Sequence, residues 1–194
     1  LEPNGADRLH LLIEAGRLAY AVRNRYVADP LFMQTPVDQL LDRGFAAELA
    51  KKIDLKKRSD FGTLPKPPSS TVLCCVVDRD RNAVTIINSL FSPFGSGITA
   101  EKSGVLLHHR GTGFNLDPAS PNCIGPSKRP LHTIIPALAA RDGRVDMAFG
   151  VMGGAYQAFG HAHFVSNLID YGMDLQTAID QPRVFFEGEP VVAE

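Results

Sequence analysis

The sequence predicts an α+β fold built on antiparallel strands. Two observations carry this reading. Pairs of apolar, β-branched runs are joined by short polar turns, the pattern of consecutive hairpins, and helical periodicity is confined to segments outside them. With 194 residues and 44% apolar side chains, the chain is large enough for one domain with a sizeable core.

Residues 1–53 read as helical. Asn4 can cap a helix in which Leu9, Leu12, Ile13, Gly16 and Tyr20 share one face, ending near Arg25. Thr35-Pro36-Val37-Asp38 is a second start signal, with proline at the first helical position and an acid in the first turn. Leu40, Leu41, Phe45 and Leu49 continue that face, and Gly44 is expected to divide the segment into two shorter helices. Residues 54–70 turn basic and rich in proline, glycine and serine, the composition of an exposed linker.

Residues 71–194 form the third part. Val72–Val77 and Ala83–Leu90 flank the polar turn Asp78-Arg79-Asp80-Arg81-Asn82 and read as a hairpin. A third strand is expected at Val105–His109, after the glycine-containing loop Phe94–Gly97, and Arg110–Pro130 reads as a long loop of the kind that is usually functional or disordered. Thr133–Ala140 and Arg144–Phe149 form another hairpin, turning at Arg141-Asp142-Gly143. A helix from about Tyr156 directs Phe159, His163, Val165, Leu168 and Ile169 largely inward, with Gly172 as its stop. A shorter helix spans Leu175–Ile179, and Pro182 forces an extended return through Arg183-Val184-Phe185-Phe186.

Charge excludes some functions. The net charge is −1 and the basic clusters are short, so there is no electrostatic footprint for nucleic acid. The apolar runs are far short of the roughly 20 residues of a membrane span, and no signal-peptide pattern opens the chain. Cys74, Cys75 and Cys123 lack metal-ligand spacing and read as buried structural thiols. His161 and His163, two apart on a helix, share no face, and His108-His109 point oppositely on a strand, so no metal site and no cofactor is expected.

Two features carry chemistry. Thr71 opens the run Thr71-Val72-Leu73-Cys74-Cys75-Val76-Val77 directly after the linker. Cutting the Ser70–Thr71 bond would expose an N-terminal nucleophile whose own α-amine, with a pKa near neutrality, serves as its base. A lone threonine in a strand is usually structural, so its neighbours decide. Gly153-Gly154 lies between an expected strand and an expected helix, where backbone N–H groups lack partners and side-chain-free residues let an acyl oxygen approach. Alone, such a pair is most often a tight turn.

Gly104-Val105-Leu106-Leu107, Lys128-Arg129-Pro130-Leu131-His132-Thr133 and Gly150-Val151-Met152-Gly153-Gly154 follow Thr71 in an order that resembles the small subunit of the γ-glutamyltranspeptidase family. His10-Leu11-Leu12-Ile13-Glu14-Ala15, Tyr20, Arg23, Asp29-Pro30 and Val37 resemble the last part of that family's large subunit. The resemblance implies a fragment of an N-terminal-nucleophile hydrolase, a four-layer αββα sandwich of which this chain supplies about half, with the rest of the large subunit as partner. It implies self-cleavage between Ser70 and Thr71, Thr71 as nucleophile, Gly153 and Gly154 as oxyanion donors, and Ser89 supporting the nucleophile where the family has threonine.

The implied substrate is a small-molecule amide, γ-glutamyl or related, with water or an amine as acceptor. Thr133 keeps a hydroxyl where family members place a pair of serines on the substrate carboxylate, and His132 departs from that pair. Phe91, Arg110 and Gly113 replace Asn, Gln and an Asp that binds the substrate ammonium. The altered set favours a carboxylate over an ammonium and keeps open a glutaryl- or cephalosporin-type acylase, or an unprocessed, non-catalytic form.

Overall fold

The computed structural model describes residues 1–61, 71–186 and 191–193. Ser70, its bond to Thr71 and residues 62–69 of the expected linker lie outside the described residues. The elements are helices α1 (Ala6–Tyr26), α2 (Val37–Leu40), α3 (Arg43–Ala50), α4 (Tyr156–Ile169) and α5 (Leu175–Asp180) and strands β1 (Thr71–Val77), β2 (Ala83–Ser89), β3 (Ala137–Arg141), β4 (Arg144–Phe149), β5 (Val184–Phe186) and β6 (Val191–Ala193). The strands pair antiparallel as β1–β2, β3–β4 and β5–β6, so the expected α+β class holds.

The chain divides into two compact units, one formed by residues 1–66, 113–131 and 166–194, the other by residues 67–112 and 132–165. In the first, Tyr20 of α1 meets the edges of Phe185 and Phe186 at 6.1 and 5.3 Å between ring centres, over a core completed by Leu18, Ala28, Ala178 and Val184. The helix also buries charge. Arg8 donates to Asn167 Oδ1 at 2.6 Å and to the Pro3 carbonyl at 2.7 Å, and its guanidinium lies 4.1 Å over the Tyr171 ring. Glu14 pairs with Arg17 at 2.8 Å and accepts the Ser59 N–H at 2.8 Å. Its pKa lies below the ordinary value: burial opposes ionisation, but the hydrogen bonds from Ser59 and Arg17 outweigh it.

Several expectations need correction. Gly5, not Asn4, is the N-cap of α1, because Pro3 and Asn4 turn beneath Arg8 and no side chain caps the helix. The break between α2 and α3 falls at Asp42, whose carboxylate caps α3 by accepting the Phe45 N–H at 2.8 Å, and Gly44 sits inside α3. Val105–His109 is no strand: Phe94, Gly95 and Gly97, all with positive φ, curl the opposing loop, leaving the single bridge Thr99 to Leu106. Residues 133–136 stay irregular before β3. Val165 and Ile169 of α4 face outward, and the helix buries Gln157, Phe159, His163 and Asn167 instead. Cys74 and Cys75 are exposed rather than buried, since neither face of that hairpin is closed over them among the described residues.

The second unit is organised by the β1–β2 hairpin. Its turn is tied by Asp78, which accepts the Asp80 and Asn82 N–H groups at 2.9 and 2.8 Å while Arg81 takes a positive φ. Register pairs Thr71 with Ser89 and Leu73 with Ile87, which puts these four on one face. Gly150, at the end of β4, lies against that face: a Cβ there would stand 2.7 Å from Leu73 Cδ1 and 3.1 Å from Ile87 Cδ1. The other face, with Val72, Val76, Val84 and Ile86, is exposed.

Candidate active site

Thr71 opens β1 and Ser89 closes β2, so the antiparallel register sets their side chains opposite each other. Thr71 Oγ1 donates to Ser89 Oγ at 3.3 Å, and Ser89 Oγ accepts the Phe91 N–H at 2.9 Å. Both donors converge on Ser89 Oγ, which ties the Thr71 hydroxyl to the chain leaving β2. Thr71 and Ser89 line an open recess of about 460 Å³ together with Val72, Asn88, Leu90 and Leu106.

Phe91 holds φ at +75°, a left-handed conformation that strains a bulky residue by about 1–3 kcal/mol. Asn, which the family carries there, tolerates that conformation. Two contacts hold the Phe in place: its N–H on Ser89, and its ring, on which the Arg110 guanidinium lies 3.7 Å from the centre. Arg110 Nη2 in turn donates to Thr133 Oγ1 at 3.0 Å. Burial lowers the guanidinium pKa, and Arg110 remains charged at neutral pH. Thr133 is buried and its neighbour His132 exposed.

Arg110 begins a 3-10 turn that ends at Gly113, whose carbonyl accepts Asn122 Nδ2 at 2.6 Å. The buried Asn122 also accepts the Leu131 N–H, through Oδ1 at 3.1 Å. Gly113 therefore belongs to the support of the long loop, together with Arg129, which binds buried Asp29 through its backbone N–H at 2.9 Å and its guanidinium at 3.0 Å. These hydrogen bonds from Arg129 hold the Asp29 carboxyl well below the usual carboxylate range.

Between β4 and α4 the chain turns through Gly153 at φ +124° and Gly154 at φ +58°. The first value is open only to glycine. Among the described residues, neither glycine N–H donates to a backbone carbonyl. The unpartnered N–H groups therefore stand at the positive end of the α4 dipole, where anionic oxygen is favoured.

The γ-glutamyltranspeptidase family model matches residues 1–192. The chain belongs to the γ-glutamyltranspeptidase family. It is 35% identical over 189 residues to the glutathione hydrolase-like YwrD proenzyme of Bacillus subtilis (strain 168), covering 94% of this chain and 34% of that protein. Over 183 residues it is 37% identical to the oxamate amidohydrolase proenzyme of Klebsiella pneumoniae, covering 94% and 34%. Among solved structures it resembles the cephalosporin acylase from Bacillus halodurans, with a TM-score of 0.83 at 35% identity over 98% of this chain and 35% of that one. The chain thus spans about a third of the length of the curated relatives it matches. The N-terminal-nucleophile fold class expected from the sequence stands with this likeness.

Among the described residues no group of three or more His, Cys, Asp or Glu side chains is placed to hold a metal, and no helix is long and apolar enough to cross a membrane. Sequence reasoning assigned no role to Gln157 or Asn122, or to the ion pair of Asp29 with Arg129. Gln157 carried no signal of its own, since His161, His163, Ser166 and Asn167 make the same helix polar at several positions.

Proposed function

We propose that the chain carries the catalytic part of a self-cleaving amidohydrolase in which Thr71 is the nucleophile. The observation that supports this best is that Ser89 Oγ accepts both the Thr71 hydroxyl and the Phe91 N–H, with Thr71 and Ser89 lining an open recess. In the precursor, Thr71 Oγ attacks the Ser70 carbonyl, the C–N bond breaks to free the Thr71 amine, and water hydrolyses the resulting ester to free the Thr71 hydroxyl and the Ser70 carboxylate.

In turnover, Thr71 Oγ attacks the substrate amide while its own amine takes the hydroxyl proton and returns it to the leaving amine. The Gly153 and Gly154 N–H groups carry the tetrahedral oxyanion. Water, or an acceptor amine, then releases the acyl group from the Thr71 ester. The remaining part of the large subunit completes the enzyme and covers the exposed apolar face of the β1–β2 hairpin. No cofactor enters the scheme.

The acyl group is best read as one bearing a carboxylate without an adjacent ammonium, such as glutaryl. Arg110, fixed between the Phe91 ring and Thr133 Oγ1, supplies a cation where the resemblance implies Gln, and Gly113 leaves the ammonium without its acid. A cephalosporin-type acylase is therefore the second reading, and the likeness to the Bacillus halodurans acylase favours it. Denaturing mass spectrometry of the full-length protein tests the scheme. Two polypeptides, the second beginning at Thr71, are expected; a single uncut chain without amidase activity would mark a non-catalytic member.

A further inference from the structure

Residues 128–136 have no strand partner, yet they include the segment that presents Thr133. What holds Ile135, two residues on, is helix α4. Gln157 is fully buried in the first turn of α4, and its Oε1 accepts the Ile135 N–H at 3.0 Å. One turn further along the helix, the half-buried His161 ring packs on Phe149 of β4, 5.0 Å between ring centres. A backbone N–H that would normally pair in a sheet is paired instead by a side chain of this helix.

The Gly153-Gly154 turn leads into the same helix, its carbonyls accepting the Tyr156 and Gln157 N–H groups at 3.0 and 3.3 Å. That turn and the Thr133 segment are therefore both tied to one rigid element. Gln157 suits the task, since it offers a neutral acceptor without the cost of burying a charge.

We propose that Gln157 is a positioning residue for acyl binding, holding the Ile135 N–H so that Thr133, and through it Arg110, keep their places relative to the oxyanion donors. This rests on the reading of Thr133 and Arg110 as the acyl-binding pair. Gln157 is fully buried and does not touch substrate. Its loss therefore acts on KM rather than on the chemical step, and leaves self-cleavage at Ser70–Thr71 alone.

The test uses the full-length protein with Gln157→Leu, which removes the bond. Hydrogen exchange at the Ile135 amide, KM and kcat on glutaryl-p-nitroanilide, and the rate of self-cleavage are measured. The leucine variant is expected to speed Ile135 exchange and raise KM by about tenfold, with kcat and self-cleavage within about twofold. If Gln157→Leu does not fold, Gln157→Asn, one methylene short of Ile135, carries the same expectation.

Unchanged exchange in the leucine variant, or a fall in kcat at constant KM, would overturn the proposal. A failure of the functional reading looks different: the wild-type protein then hydrolyses no acyl amide, while Ile135 exchange still reports on the clamp.

Discussion

The β1–β2 hairpin and the segment 129–135 present candidate site residues by opposite means. In the hairpin, backbone ladder bonds from Thr71 to Val77 fix the position of Thr71, and side chains decide only what faces the recess. In the segment, side chains replace the ladder. Asp29 holds Arg129, Asn122 holds Leu131, Arg110 holds Thr133, and Gln157 holds Ile135. A ladder survives most substitutions because every residue supplies the same two backbone groups. A side-chain support is lost with a single residue, so acyl specificity is expected to be more sensitive to remote mutation than the nucleophile.

The largest expected effect breaks the hairpin's chemistry without touching its ladder. Thr71→Ala removes the hydroxyl that serves both acyl transfers, so the full-length protein stays a single chain and turnover falls by at least about 10³-fold. Thr71→Ser keeps some of each. Maturation of Thr71→Ala at the wild-type rate, without added protease, would remove Thr71 from the scheme.

Gly154→Val comes next and tests the helix that serves both regions. Crowding the donors is expected to lower kcat by about 10²–10³-fold. Because Gly154 is buried at φ +58°, a β-branched residue there also carries backbone strain of about 1–3 kcal/mol, and the unfolding midpoint falls as well. An unchanged kcat in a folded variant would exclude the pair as oxyanion donors.

The regular elements were legible in the sequence and the irregular supports were not, for a physical reason. Alternation and turn residues encode a hairpin locally, and the Thr71–Ser89 pairing follows once its register is fixed. The bond from Asp29 to Arg129 joins residues 100 apart in the chain, and no periodicity announces it. The outward Val165 and Ile169 misled because an apolar stripe shows which helix face is apolar, not whether anything covers it. Phe91 was legible as a departure from the family pattern, but its strained φ and its stacking on Arg110 were not.

A smaller effect reads the chemistry of the irregular region. Glutaryl-p-nitroanilide is expected to exceed γ-glutamyl-p-nitroanilide in kcat/KM by roughly 10- to 150-fold, the worth of one charge-assisted hydrogen bond that the ammonium would need and that Gly113, in the acid's place, cannot make. A clear preference for the γ-glutamyl compound would mean that residues beyond this chain bind the amine.

The smallest effect concerns the support farthest from the chemistry. Arg129 lowers the Asp29 pKa in the folded protein below its ordinary 3.8. As pH falls past that value the unfolded chain takes up the proton first, so the Asp29 contribution to stability is present in full above it and is lost progressively on further acidification. Glu14, Asp54, Asp78 and Asp174 are lowered too, so the wild-type curve alone cannot isolate one carboxylate. The difference between wild type and Asp29→Asn can. The urea midpoint of the variant is expected to lie below that of the wild type from pH 7 to about pH 5 and to converge on it as pH drops below about 3.8. A gap that stays constant down to pH 2 would show that the pairing contributes through packing and geometry rather than through the ionised carboxylate.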